Sequence, residues 1–217
     1  QPPRSTLFPY TTLFRSMIAV IDEYFGNWEP NPELPERILT RESPVEGPLE
    51  VEVWGLESEY VTLGWQGPHI ASAEDALFTV MGEVLSNGKA GIMDLDLNQQ
   101  QKVLQAGAFA YTLADRSTLI LQGNPKQGQT LEQVKDLMLQ SLDKIRKGDF
   151  DQELIKAIVN NYKLNMMRRL ENNRGRANMF VSSFINGIPW EQQIRFIERL
   201  EAVTKDDLVA FANQYFK

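Results

Sequence analysis

The chain contains no cysteine and a single histidine, His69, in 217 residues. The first absence excludes disulfides, thiol nucleophiles, iron–sulfur clusters and cysteine-ligated zinc together. The second excludes any metal site that needs two imidazoles, and leaves serine nucleophiles such as Ser72, Ser117 and Ser182 without a histidine base other than His69. Positive charge is also in deficit: 22 Lys and Arg against 29 Asp and Glu give a net charge of −7. That balance argues against a nucleic-acid partner. No apolar run approaches the ~18–20 residues of a membrane span, and no basic segment leads into an apolar core as in a signal peptide. What is present is 42% hydrophobic content, enough for one domain with a core and an appendage.

Residues 1–16, "QPPRSTLFPYTTLFRS", repeat Thr-Leu-Phe and Arg-Ser around Pro9, and read as an artefactual or disordered tail. Residues 17–28 begin with apolar residues at 17, 18, 20, 21, 24 and 25, a helical stripe closed by Gly26. The stripe is short, which suits the last helix of a preceding domain. Residues 29–48 form a proline-rich linker; five prolines fall within residues 27–48.

Residues 49–217 read as the main domain. Leu49, Val51 and Val53 alternate with Glu50 and Glu52, which predicts a strand over 49–55. A second strand over 59–66 would pair with it as a hairpin. Ser72, with Asp75 three residues on, predicts a capped helix whose apolar pairs recur at 76/77, 80/81 and 84/85 and which ends at Asn87-Gly88. A more polar helix over 92–104 and a second hairpin, 106–114 and 117–124 with its turn at Asp115-Arg116, follow. From Thr130 the chain is helical. Thr130 with Gln133 opens one helix, which Gly148 stops. Asp149 with Gln152 opens the next, with Ile155, Ile158, Val159, Tyr162, Met166 and Leu170 inward. Shorter helices cover 173–186, 190–200 and 204–216, with Pro189 and Thr204 marking two of the starts. The order predicts an α+β fold, an antiparallel sheet of about four strands covered on one face by helices, with an unfilled strand edge where the sequence stops at Lys217.

Few residues offer chemistry. His69 follows Gly67-Pro68 at a strand-to-helix turn and is read as a helix-entry residue. Asp94, Asp96 and Asn98 alternate like a calcium loop, but the glycine at position six and the acid at position twelve are missing; the stretch reads as an amphipathic helix entry. "NGKAG" at 87–91 follows a helix and lacks the phosphate-loop pattern, so it is a helix stop and turn. Arg168-Arg169 reads as a solvated helix face. No catalytic residue and no metal ligand is assigned.

Four stretches carry a family resemblance. "SAEDALFTVMGEVLSNGKAGIMD" (72–94), "VLQAGAFAYTLADRSTLILQG" (103–123), residues 130–180 from "TLEQVKDLMLQSL" onward, and "IERLEAVTKDDLVAFANQYF" (197–216) occur in the order found in insulinase/pitrilysin-type metallopeptidases, which include the mitochondrial processing peptidase. The resemblance covers about 45–217, and "IDEYFGNW" (21–28) is similar to the end of a preceding catalytic domain. It implies repeated α+β domains closing around a peptide chamber, and zinc held through a His-x-x-Glu-His motif. That motif is absent here, so no cofactor belongs to this chain, and zinc belongs to the parent enzyme. The family's arginine–tyrosine peptide-contact pair is not carried over: the matching segment offers glutamines and Lys102, and Tyr111 only in a shifted register. The expectation is a noncatalytic domain of a zinc endopeptidase, 49–217 truncated at its closing strand, with the adjoining domains and a peptide substrate as partners. The alternatives are an inactive homologue serving as an assembly subunit, and an unrelated α+β binding module.

Overall fold

The computed structural model describes residues 8–35 and 43–216. The chain divides into two compact units, residues 1–39 and 40–217. In the first, helix α1 (Phe8–Phe25) starts nine residues before the stripe that predicted it. Pro9 lies in its first turn, where a missing N–H costs nothing. The helix closes as Gly26 N donates to Asp22 O (2.8 Å), and Trp28 meets Phe25 edge-on with ring centroids 5.0 Å apart. Its apolar residues, Met17, Ile18, Ile21, Tyr24 and Phe25 among them, are exposed.

The second unit is built on three strands, β1 (Val61–Gly67), β2 (Gln105–Tyr111) and β3 (Ser117–Asn124), in the order β1-β3-β2, all antiparallel. The fold class is α+β as expected, with one strand fewer. Among the described residues the expected strand 49–55 has no pairing partner: Val51, Val53 and Trp54 are 82%, 85% and 87% exposed. Alternation records that a segment is able to lie half-buried in a sheet, not which strand it meets. Here β1 takes β3 as its neighbour, with Leu63 opposite Leu121 and Trp65 opposite Leu119. β3 sits centrally and buries every second residue, Ser117, Leu119 and Leu121 among them.

Helices α2 (Asp75–Leu85), α3 (Leu131–Lys147) and α8 (Lys205–Tyr215) cover one face of this sheet. Close approach is arranged by setting small residues under large ones. A methyl at Gly67 would lie 2.8 Å from Phe78 Cζ, one at Gly82 3.1 Å from Ala110 N, and one at Gly123 2.5 Å from Val134 Cγ1. Phe78, Phe211, Phe216 and Trp65 form a chain of ring contacts with centroids 5.9–6.3 Å apart, which ties α2 and the end of α8 to β1.

The helices expected after Ser72, Thr130 and Asp149 all form, but only some of the expected caps do. Thr130 and Gln133 form the reciprocal capping box, and Gly148 ends α3 in the left-handed region at φ 70°. Thr204 and Asp207 cap α8 in the same way. Ser72 does not cap α2. The N-cap is Glu74, which makes no side-chain cap bond, while the Asp75 carboxylate accepts from Ala71 N at 3.0 Å. Helix α4 (Glu153–Glu171) likewise lacks the Asp149–Gln152 cap; Asp151 Oδ1 accepts from Glu153 N instead (2.9 Å). Its buried stripe is Ile155, Ile158 and Val159, with Tyr162 partly buried; Leu170, expected inward, is exposed. The helix expected over 92–104 contracts to a π-helical turn, Asp94–Asn98. It stops there because Asn98 turns to bond β2. The last segments are α5 (Asn173–Ile185), α6 (Trp190–Ile194) and α7 (Phe196–Glu201).

Candidate functional site

A cleft of about 430 Å³ lies between α2, the outer edge of β2 and the α4–α7 helices. Its position follows from the sheet order, which leaves β2 at an edge. Asn98 bonds both the N–H and the C=O of Ala106 (2.8 and 2.7 Å), so those groups point away from β3. Strand periodicity turns the N–H and C=O of Ala108 and Ala110 the same way. Both residues line the cleft. Their side chains lie on the helix-covered face, which makes this edge small-walled: Gly82 allows α2 to run directly beside Ala110.

One stripe of α2 forms the near wall: Asp75, Thr79, Gly82, Glu83 and Ser86. Most of its polar groups are committed to the fold. Thr79 Oγ1 donates to Asp75 O (2.8 Å), and Ser86 Oγ donates to Asp94 Oδ1 (2.8 Å). The Asp75 carboxylate pairs with Arg199 on α7, whose guanidinium also donates to Ser72 O and Ala73 O and lies over the Phe196 ring. Burial nevertheless raises the Asp75 carboxyl above the usual carboxylate range, against the lowering effect of Arg199. Glu83 differs from its neighbours. Among the described residues its carboxylate has no hydrogen-bond or ion-pair partner, and burial, reinforced by the nearby Asp94 charge, raises its pKa. Tyr162 and Arg169 from α4 stand in the facing wall.

The sequence motifs resolve into structural roles. Half-buried His69 places Nδ1 2.8 Å from Ile70 O and does not line the cleft. The loop 87–91 does behave as an anion nest, but its anion is internal. Asp94 Oδ2 accepts from the N–H groups of Asn87, Lys89 and Gly91 at 2.9–3.1 Å. Asp96 pairs with Lys144 at 2.7 Å, and Asn98 is spent on β2, so the alternating Asp94-Asp96-Asn98 set diverges in three directions. Among the described residues no group of three or more His, Asp or Glu is placed to hold a metal ion, and no helix is long and apolar enough to cross a membrane. Sequence reasoning missed Glu83 and the cleft. The available signal was weak, since Asp75, Thr79, Glu83 and Ser86 recur at helical spacing opposite the apolar stripe, as solvent-facing residues do.

Similarity to known proteins agrees with this architecture. The zinc protease PqqE of Helicobacter pylori is 24% identical over 169 residues, covering 75% of this chain and 37% of that protein. The crystal structure of a protease from Helicobacter pylori superposes with a TM-score of 0.84 at 20% identity, over 94% of this chain and 50% of that one. The first half of the periplasmic protease PqqL from Escherichia coli gives 0.60 at 14% identity, covering 92% and 46%. The peptidase M16 inactive domain from Pseudomonas fluorescens gives 0.62 at 11%, covering 74% and 39%. This chain thus spans half or less of the length of these relatives. A family model described as the peptidase M16 inactive domain matches residues 14–162. With more than half of its residues matched, the chain belongs to the inactive-domain family of the M16 peptidases, the noncatalytic partner domain in zinc-protease-like proteins.

Proposed function

We propose that this domain works within a larger zinc endopeptidase, where it supports a catalytic domain and lines the chamber that receives peptide. In this reading residues 17–28 end the preceding catalytic domain, 29–48 connect the two, and 49–217 form the noncatalytic domain. Zinc and the hydrolytic groups reside outside this chain, because a His-x-x-Glu-His site needs two imidazoles and His69 is the sole histidine. The observation that carries the substrate-facing part is the free outer edge of β2 inside the cleft. An extended peptide laid there would find the outward N–H and C=O groups of Ala108 and Ala110, the pattern by which a sheet edge captures a strand.

The test uses the purified chain, a quenched-fluorescent peptide and added zinc. The expected result is no chelator-sensitive cleavage, together with chemical-shift changes centred on the Ala108 and Ala110 amides when an extended peptide is added. Zinc-dependent turnover by the pure chain would overturn the reading.

A second reading, an assembly subunit without peptidase activity anywhere in its parent, is favoured by one observation. Phe180, Phe184, Ile185 and Ile194 leave an apolar surface on α5 and α6, with Phe184 88% exposed. Surfaces of this kind mark protein contacts. The parent gene decides between the readings: a His-x-x-Glu-His segment upstream supports the enzyme, and its absence supports the scaffold.

A further inference from the structure

We infer that the β2 cleft selects extended peptides carrying a basic side chain, Lys or Arg, and that Glu83 is the group that receives it. The inference rests on the peptide-edge reading above and adds the chemistry of the occupant. It follows from an elimination along the cleft wall. Asp75 is held by Arg199, Thr79 by a backbone carbonyl, and Ser86 by Asp94. Asp94 itself is saturated by three backbone N–H groups and the Ser86 hydroxyl. Among the described residues of the cleft wall, Glu83 alone keeps a half-buried carboxylate without a hydrogen-bond or ion-pair partner.

A carboxylate in such a place carries a desolvation cost that a cationic hydrogen-bond donor offsets. The surroundings place that donor at the strand edge. A methyl at Gly82 would lie 3.1 Å from Ala110 N, and one at Gly107 3.8 Å from Ser86 Oγ, so α2 runs antiparallel to β2 and Glu83 falls beside the Ala108–Ala110 stretch. A peptide paired to that stretch directs alternate side chains to the α2 side of the cleft. One of them reaches Glu83.

Arg169 on the facing wall sharpens the assignment. Its guanidinium has no ion-pair partner among the described residues. It therefore repels a cation and opposes binding that is driven by net charge alone. Selection of the basic residue must come from the local position of Glu83, and the two residues have opposite signs as tests. Removing Glu83 weakens the basic peptide; removing Arg169 strengthens it.

The probe is a short fluorescein-labelled peptide of alternating Thr and Val with one central Lys, compared with the same peptide carrying Gln. Fluorescence anisotropy gives affinity and amide chemical shifts give position. With the full chain the Lys peptide binds about tenfold more tightly, the ratio for a charge-assisted contact of about 1.4 kcal/mol. Glu83→Gln removes that preference, while the Gln peptide binds it as it binds the original protein. Arg169→Gln tightens the Lys peptide by about twofold, as loss of a screened like charge does. Urea midpoints of both variants establish that the fold is kept. If both peptides shift Ala108 and Ala110 equally and Glu83→Gln changes nothing, the basic selectivity is wrong and the peptide-edge reading stands. If neither peptide perturbs those amides, the edge reading fails and takes this inference with it.

Discussion

The packing of α3 on the sheet can be tested by a two-residue exchange. Gly123 on β3 faces Val134 and Met138 of α3, both fully buried. A Cβ at residue 123 would stand 2.5 Å from Val134 Cγ1 and 3.0 Å from Met138 Sδ. Met138 is able to yield through its rotatable thioether, but the β-branched Val134 is held at χ1 by the helix. Gly123→Ala therefore overpacks the site and costs about 1–3 kcal/mol. Val134→Ala removes two methyl groups, about 1.6 kcal/mol of transfer energy at ~0.8 each, plus a cavity term, for a total of about 2 kcal/mol. In the double variant the new methyl fills the space the valine leaves. It should lose only about 1–2 kcal/mol, a coupling of about 2 kcal/mol within the range known for touching residues. The measurement is the urea midpoint of the four proteins at constant m-value. Additivity to within about 0.5 kcal/mol would refute the packing described for this face.

Other perturbations probe the remaining structure. Arg199→Met strips the counter-charge from nearly buried Asp75, and chemical denaturation should show a loss of about 3–5 kcal/mol; Asp75→Asn in the same background should recover part of it. Tyr215 donates to Glu74 Oε2 (2.6 Å), and burial together with that bond pushes its hydroxyl up to about 12. The neutral form is the one favoured by the fold, so its contribution is complete below the ordinary tyrosine value of 10.0 and is lost as pH rises through about 12. Thermal melts between these limits should fall less steeply for Tyr215→Phe than for the original chain. Val51→Ala and Val53→Ala should each change stability by less than about 0.5 kcal/mol, because exposed side chains away from special features contribute little. A loss above about 1 kcal/mol from either would mean that 49–55 is a paired strand after all.

Much of the fold was legible because its signals are local. The Thr130–Gln133 box, the left-handed Gly148 and the Thr204 cap each satisfy helix-end groups within a few residues, so the sequence carries the whole interaction. The hairpin of β2 and β3 was legible for the same reason. The unpaired state of 49–55 was not, because alternation is a property of one segment and pairing is a property of two. Ser72 looked like a cap, but the competing interaction, Arg199 drawing Asp75 and the 72–73 carbonyls, comes from more than a hundred residues away. Asp94 and Asn98 were hidden in a similar manner: their partners are main-chain groups of a loop and a strand edge, which leave no mark on composition.

The candidate site divides along the same line. Composition alone determined that this chain holds no two-histidine zinc centre, since ligand count is a property of the sequence and no folding adds an imidazole. It also determined the α+β class, through hydrophobic period. Only the tertiary structure decided that β2 is an edge, that α2 runs beside it at Gly82, and that Glu83 faces a cleft without a partner among the described residues. Those facts depend on which surfaces meet across long stretches of chain, where contact geometry, not residue type, sets what remains unsatisfied.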